Sequence, residues 1–176
     1  VLEQGKFSNL VTKYINKLGE VLRNLQAWDE LQSLAEKSLP LQQNHGSALQ
    51  VAQCYGFLAE VALEKCQWDE AQNLAQQALQ SIEDVSNQQV NERGLYRLIL
   101  ARAQYSLQQF SQAINNLELA KDETNHQYNP RLYIRILETL RGWYFDAKEY
   151  LKAFSLKLEQ LQIEQQYGFR AFVGAS

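Results

Sequence analysis

The 176-residue chain has no methionine, 2 prolines, 2 cysteines and 2 histidines. So few prolines leave little to interrupt helices, and the abundant Leu, Ala, Gln and Glu favour them, while Val and Thr are sparse. The absent methionine and the start at Val1 lead to the expectation that the chain is part of a longer protein with flanking domains. No apolar run approaches the ~20 residues that cross a bilayer. Nor does a basic start precede an apolar core, as in a signal peptide. The net charge is −3 with both signs interspersed, so there is no basic stripe for nucleic acid and no polybasic segment for anionic lipid. If Cys54 and Cys66 share a helix, they stand about 18 Å apart along its axis. A disulfide tolerates a Cα separation of only about 7 Å. Both are expected to be reduced thiols that serve as small apolar fillers in a cytoplasmic setting.

The motifs of catalysis are missing too. There is no glycine-rich phosphate loop, His-Glu-x-x-His, Cys-x-x-Cys or Gly-x-Ser-x-Gly. His45 and His126 both fall in predicted turns. The expectation is a non-enzyme with no cofactor and no metal.

What is present is a phrase repeated four times. It reads Trp28-Asp29-Glu30-Leu31, Trp68-Asp69-Glu70-Ala71, Phe110-Ser111-Gln112-Ala113 and Tyr150-Leu151-Lys152-Ala153. The aromatic residues are 40, 42 and 40 positions apart. A period of that size marks stacked repeats, because one unit is too small to bury its own apolar face. Upstream of each aromatic stands Leu18-Gly19, Leu58-Ala59, Leu100-Ala101 or the exception Leu140-Arg141. Downstream come Ala71, Ala75 and Ala78, then Ala113, Leu117 and Ala120. Small residues at helical spacing let antiparallel helices approach closely.

Helix starts are legible independently. Ser47 with Gln50 and Ser86 with Gln89 have capping-box form. Asn129-Pro130 places a cap residue before a first-turn proline. Asp29-Glu30 and Asp69-Glu70 suit the positive end of a helix dipole, which explains them without acid catalysis. The turns are read at 44–46, 86–87 and 124–126. The first helices are predicted over 7–25, 47–65, 88–107 and 130–147. The second helices are predicted over 28–39, 68–82, 110–121 and 150–166, each opened by an aromatic residue whose expected place is the core.

These features resemble a tetratricopeptide repeat (TPR) array over nearly the whole chain. The resemblance implies an all-α, right-handed α–α solenoid of four helical hairpins, about eight helices, over residues 1–166. Residues 167–176 are then a tail or linker. The units exceed the usual ~34 residues, as in extended TPR variants of regulatory and scaffold proteins. Arg141, Leu31 and Ser38 depart from the small-residue pattern, as terminal repeats do.

The resemblance also implies a concave face made by the first helices. In the first unit it maps to Lys13, Asn16, Glu20, Arg23 and Asn24. In the second it maps to Gln53, Gly56, Glu60, Leu63 and Glu64. The third gives Leu95, Leu98, Arg102, Tyr105 and Ser106, and the fourth Arg135, Glu138, Gly142, Phe145 and Asp146. Arg102 and Arg135 with Tyr105 and Phe145 could hold a carboxylate beside an apolar side chain, or the face could be an ordinary solvated surface. Chaperone-binding TPR domains clamp a terminal carboxylate with Lys and Asn. Here Glu20 and Glu60 occupy the Asn positions and would repel it. The aromatic tail resembles the junction before the NTPase domain of bacterial STAND-class signalling ATPases. The implied function is protein or peptide binding by the sensor or scaffold part of a larger signalling protein. The alternative is a small-ligand sensor that controls an attached ATPase or transcription activator. Lys157 stands where Ala35, Ala75 and Leu117 stand in earlier units, so no fifth repeat is expected. Apolar surface on the last helix instead points to cover by the tail, with self-association through the C-terminal end or a downstream domain as the alternatives.

Overall fold

The computed structural model describes residues 14–86 and 92–168, and all its regular elements are helices. Residues 14–24 form α1. Then follow α2 (Trp28–His45), α3 (Ala48–Glu64), α4 (Trp68–Ser81), α5 (Arg93–Ser106), α6 (Phe110–Glu123), α7 (Pro130–Asp146) and α8 (Tyr150–Tyr167). Odd and even helices pair as hairpins, and each hairpin packs on the next. Lys13, Gln89 and the tail beyond Gly168 lie outside the described residues.

Each hairpin turns in the same way. Gln26, Cys66, Gln108 and Lys148 all have positive φ, between 55° and 62°. The next residue reaches five positions back: Ala27 N–H donates to Leu22 O, Gln67 to Ala62, Gln109 to Gln104 and Glu149 to Tyr144. This is the Schellman closure, which satisfies carbonyls left over at a helix end. Cys66 is thus an exposed turn residue and not the expected filler, whereas Cys54 is buried. Burial pushes the Cys54 thiol up to about 11.

The second helices carry the inter-hairpin seam. Leu31, Ala35, Ser38 and Gln42 are buried on α2, and Ala71, Ala75 and Ala78 on α4. Ala113, Leu117 and Ala120 are buried on α6. On α8 the seam turns polar, with Ala153 and Gln160 buried but Lys157 half-exposed. Large residues gather at the C-terminal half. There Leu98, Leu117, Ile136, Leu137 and Leu140 share one cluster with Leu156 and Ile163.

Two of the predicted caps form, and the third, Ser86 with Gln89, reaches outside the described residues. Ser47 and Gln50 form the capping box, and Asn129 Oδ1 accepts from Leu132 N–H at 3.2 Å. The Arg93 guanidinium closes the end of α4 by donating to the carbonyls of Ile82 (2.7 Å) and Val85 (2.8 Å). Two expectations fail here. Helix α2 continues through Pro40 to His45, so His45 ends a helix and does not lie in a turn. The opening aromatics are not uniformly core residues either. Trp28 and Trp68 are half-buried, while Phe110 and Tyr150 are exposed and meet Tyr105 and Phe145 edge-on.

Candidate functional site

The first helices α1, α3 and α5 enclose a concave pocket of about 140 Å³. Glycine makes that approach possible. A Cβ on Gly19 would enter the ring of Phe57, and one on Gly56 would enter the ring of Tyr96. Both rings therefore pack directly against a bare stretch of the preceding first helix. They wall the pocket beside Leu95, while Glu20, Arg23, Gln53, Glu60 and Glu92 line its polar side.

Glu60 is the centre of the electrostatics. It is 9% exposed, and Arg23 Nη1 stands 3.8 Å from its carboxylate. Burial raises its pKa, and the charges of Arg23, Arg135 and Arg102 oppose the rise while that of Glu64 adds to it. Arg102 in turn lies 4.0 Å from Glu64. Gln53 Nε2 donates to Glu92 Oε1 at 3.4 Å. Arg23 of α1 and Arg102 of α5 thus flank carboxylates of α3, and link the first three hairpins along one face.

Other residues of the expected groove are committed elsewhere. Leu63 and Leu98 are core residues, 3% and 1% exposed, and line no surface. Gly56 is covered by Tyr96. The Tyr105 ring is stacked on Trp143 at 4.2 Å with 4° between planes. Burial, with Asp146 nearby, raises its pKa. Glu138 accepts from Gln160 Nε2 at 2.9 Å. Phe145 packs edge-on against Tyr150 at 5.3 Å. It sits at the end of the array with Tyr150 and Phe154, in a recess with Arg141 and Gly142. Asn16 presents a buried Oδ1 without a hydrogen-bond partner. Sequence reading missed Phe57, Tyr96, Glu92, Asn129 and Trp143. The glycines inside α1 and α3 were the available clue to the two rings.

Among the described residues, no helix is long and apolar enough to cross a membrane. The tetratricopeptide repeat family model matches residues 10–84. The fold extends the pattern over the remaining hairpins. The chain is a TPR-like repeat array. BtubC of P. vanneervenii superposes over 96% of this chain and 69% of its own, with TM-score 0.74 and 16% identity. RapI in its apo form superposes over 90% of this TPR-like chain and 57% of its own, with TM-score 0.75 and 13% identity. An uncharacterised WD repeat-containing protein of Synechocystis is 29% identical over 188 residues. That match takes in 91% of this chain but only 11% of the relative's length. TPR domains generally bind proteins or peptides.

Proposed function

We propose that these repeats are the protein-interaction module of a longer scaffold or signalling protein, and that they hold a partner segment along the first-helix face. The observation that carries this reading is the pairing of Arg23 with Glu60 at 3.8 Å and of Arg102 with Glu64 at 4.0 Å, which lays charges of both signs along the first-helix face. A strip of alternating sign suits an extended or helical segment with charges of both signs, because each charge finds an opposite at a fixed register. It suits a small molecule less well. Ordinary small-ligand sites are roughly 300–1,000 Å³, and the pocket beside Glu60 is about 140 Å³. That volume takes one side chain of a partner. The Synechocystis relative, a WD repeat-containing protein far longer than the matched segment, supports a module that works beside other domains. The tail beyond Gly168 as a junction to an NTPase domain belongs to the same proposal, and the sequence following Ser176 tests it.

A partner recovered with the wild-type chain as bait is to be measured by calorimetry against Arg102→Ala/Arg135→Ala. Both side chains are exposed, so the melting temperature should hold. Affinity should fall about tenfold or more, which is about 1.4 kcal/mol. A control at Gln76 and Gln77, exposed on α4, should bind as wild type. Equal affinity of the double variant would remove the groove from the reading.

A further inference from the structure

The pocket between the first helices is unbalanced in charge. Three carboxylates line it, Glu20 from α1, Glu60 from α3 and Glu92 beside α5, against the single guanidinium of Arg23. Arg102 stands outside the lining and is engaged with Glu64. Glu60 is the least satisfied of the three acids. It is 9% exposed, yet among the described residues no hydrogen bond reaches its carboxylate. Its one ion pair, to Arg23, is 3.8 Å long and beyond hydrogen-bond reach. Burial raises its pKa in spite of the arginines around it, so the carboxylate is left short of positive charge. A carboxylate so buried needs both a countercharge and donors. An incoming ammonium or guanidinium supplies both.

The walls suit the remainder of a basic side chain. Phe57, Leu95 and Tyr96 give apolar surface for an aliphatic stem while its charged head reaches the carboxylates. The Phe57 ring already attracts a cation, with the Arg23 guanidinium carbon 6.0 Å from its centroid. Among the described residues, no three carboxylate, histidine or cysteine side chains stand close enough together to share a metal ion. The acidity is instead spread around a cavity of about 140 Å³, room for one side chain. An acidic side chain entering there would face three carboxylates and one guanidinium.

We infer, on the reading of the first-helix face as the binding face, that this pocket takes one basic side chain, lysine or arginine, of the partner segment. Its head group pairs with Glu60 at the floor and with Glu20 and Glu92 at the sides, and its stem lies along Leu95 and Tyr96. The pocket then fixes where the segment sits along the strip, because only a basic residue can fill it.

The test uses the whole 176-residue chain and blocked alanine pentapeptides whose central residue is lysine, arginine, norleucine or glutamate. Norleucine keeps the stem of lysine and lacks its charge. In a nuclear magnetic resonance titration, the lysine and arginine peptides should shift the signals of Phe57, Leu95 and Tyr96 and saturate at millimolar concentration. The norleucine and glutamate peptides should leave them in place. Glu60→Gln should weaken the lysine peptide about tenfold. Should that variant fail to fold, Glu20→Gln/Glu92→Gln alters only exposed and half-buried positions and should weaken the peptide as well. Equal shifts with norleucine, any saturable shift with glutamate, or none with either basic peptide overturns the inference. So does undiminished binding to both glutamate variants. At saturation the lysine peptide should also displace a partner held by the wild-type chain. A peptide that fills the pocket without displacing the partner would make the pocket a site for a free amine and overturn the assignment. If Arg102→Ala/Arg135→Ala loses the partner while Glu60→Gln keeps it, the binding face stands and the basic side chain falls. If the double variant keeps the partner and the lysine peptide still displaces it, the strip falls and the occupant of the pocket stands.

Discussion

Gly56 and Gly142 are both helix-interior glycines, and their surroundings give them opposite expected responses. A methyl group at 56 enters the ring of Tyr96, which is 3% exposed and has nowhere to move. A methyl group at 142 meets nothing within 4 Å. Alanine is better than glycine in a helix by about 0.8–1 kcal/mol, whereas overpacking a core costs about 1–3 kcal/mol. Gly142→Ala should therefore raise stability by up to about 1 kcal/mol in urea unfolding, and Gly56→Ala should lower it by about 1–2 kcal/mol. Glu60 offers a test through pH. Its folded pKa lies above the ordinary glutamate value because burial penalises the carboxylate, and the neighbouring arginines only partly offset that. The folded state thus holds this proton more tightly than the unfolded one. The stability it contributes is full below the unfolded pKa and is lost as pH rises through the folded pKa. Glu60→Gln removes the titration, so wild type should gain relative to the variant as pH falls from 7 toward the ordinary glutamate range. Urea midpoints of the two proteins across that window measure it, and parallel curves would show that Glu60 does not titrate there.

At the scale of the helix, the aromatic landmarks located every second-helix start, because the same turn precedes each one. The C-terminal ends were harder to read. The predicted helix ended at 39, yet α2 runs on through Pro40, although proline removes an N–H and crowds the carbonyl four residues back. Here that carbonyl belongs to Glu36, and both Glu36 and Pro40 face solvent, where water can satisfy the freed group. Exposure decided the outcome, and local sequence does not encode exposure. The turn geometry was equally hidden. Left-handed backbone normally selects glycine, yet Gln26, Cys66, Gln108 and Lys148 hold it without one. A residue with a Cβ there costs roughly 1–2 kcal/mol, and glycine's larger unfolded-state freedom returns some of that. Gln108→Gly should therefore stabilise by about 0.5–1 kcal/mol, read as a rise in the urea midpoint at constant slope. No gain would mean that the Gln108 side chain offsets its own strain.

For the molecule as a whole, the period of about 40 residues was enough to read the stacked-hairpin plan, because stacking is the only way such units can bury their apolar sides. The groove was only half legible. Helical register put Arg23, Glu60, Arg102 and Arg135 on one expected face, and the contacts along it are Arg23–Glu60 at 3.8 Å and Arg102–Glu64 at 4.0 Å. Register could not foresee that Tyr105 would stack on Trp143, or that Phe145 would turn to the end of the array, because those contacts are set by side-chain packing between hairpins. The same packing divides the array unevenly. The first junction holds Leu31, Ala35, Phe57 and Val61, the second mixes alanines with Leu63, Ile99 and Leu100, and the third carries the largest cluster, with Leu98, Leu117, Ile136, Leu137 and Leu140. A chain searching for its structure gains most from its earliest contacts where the side chains are largest and close in sequence. Folding of this array is accordingly expected to begin around α5–α7 and to spread toward the N-terminus, one hairpin at a time. Leu137→Ala and Leu31→Ala both remove a fully buried side chain and should each cost about 2–5 kcal/mol. In stopped-flow mixing, the first should mainly slow refolding, while the second should leave refolding nearly unchanged and hasten unfolding. The reverse result would place the nucleus at the other end. Each hairpin that forms would then serve as the surface on which the next one orders, so the direction of growth follows from where the large side chains sit.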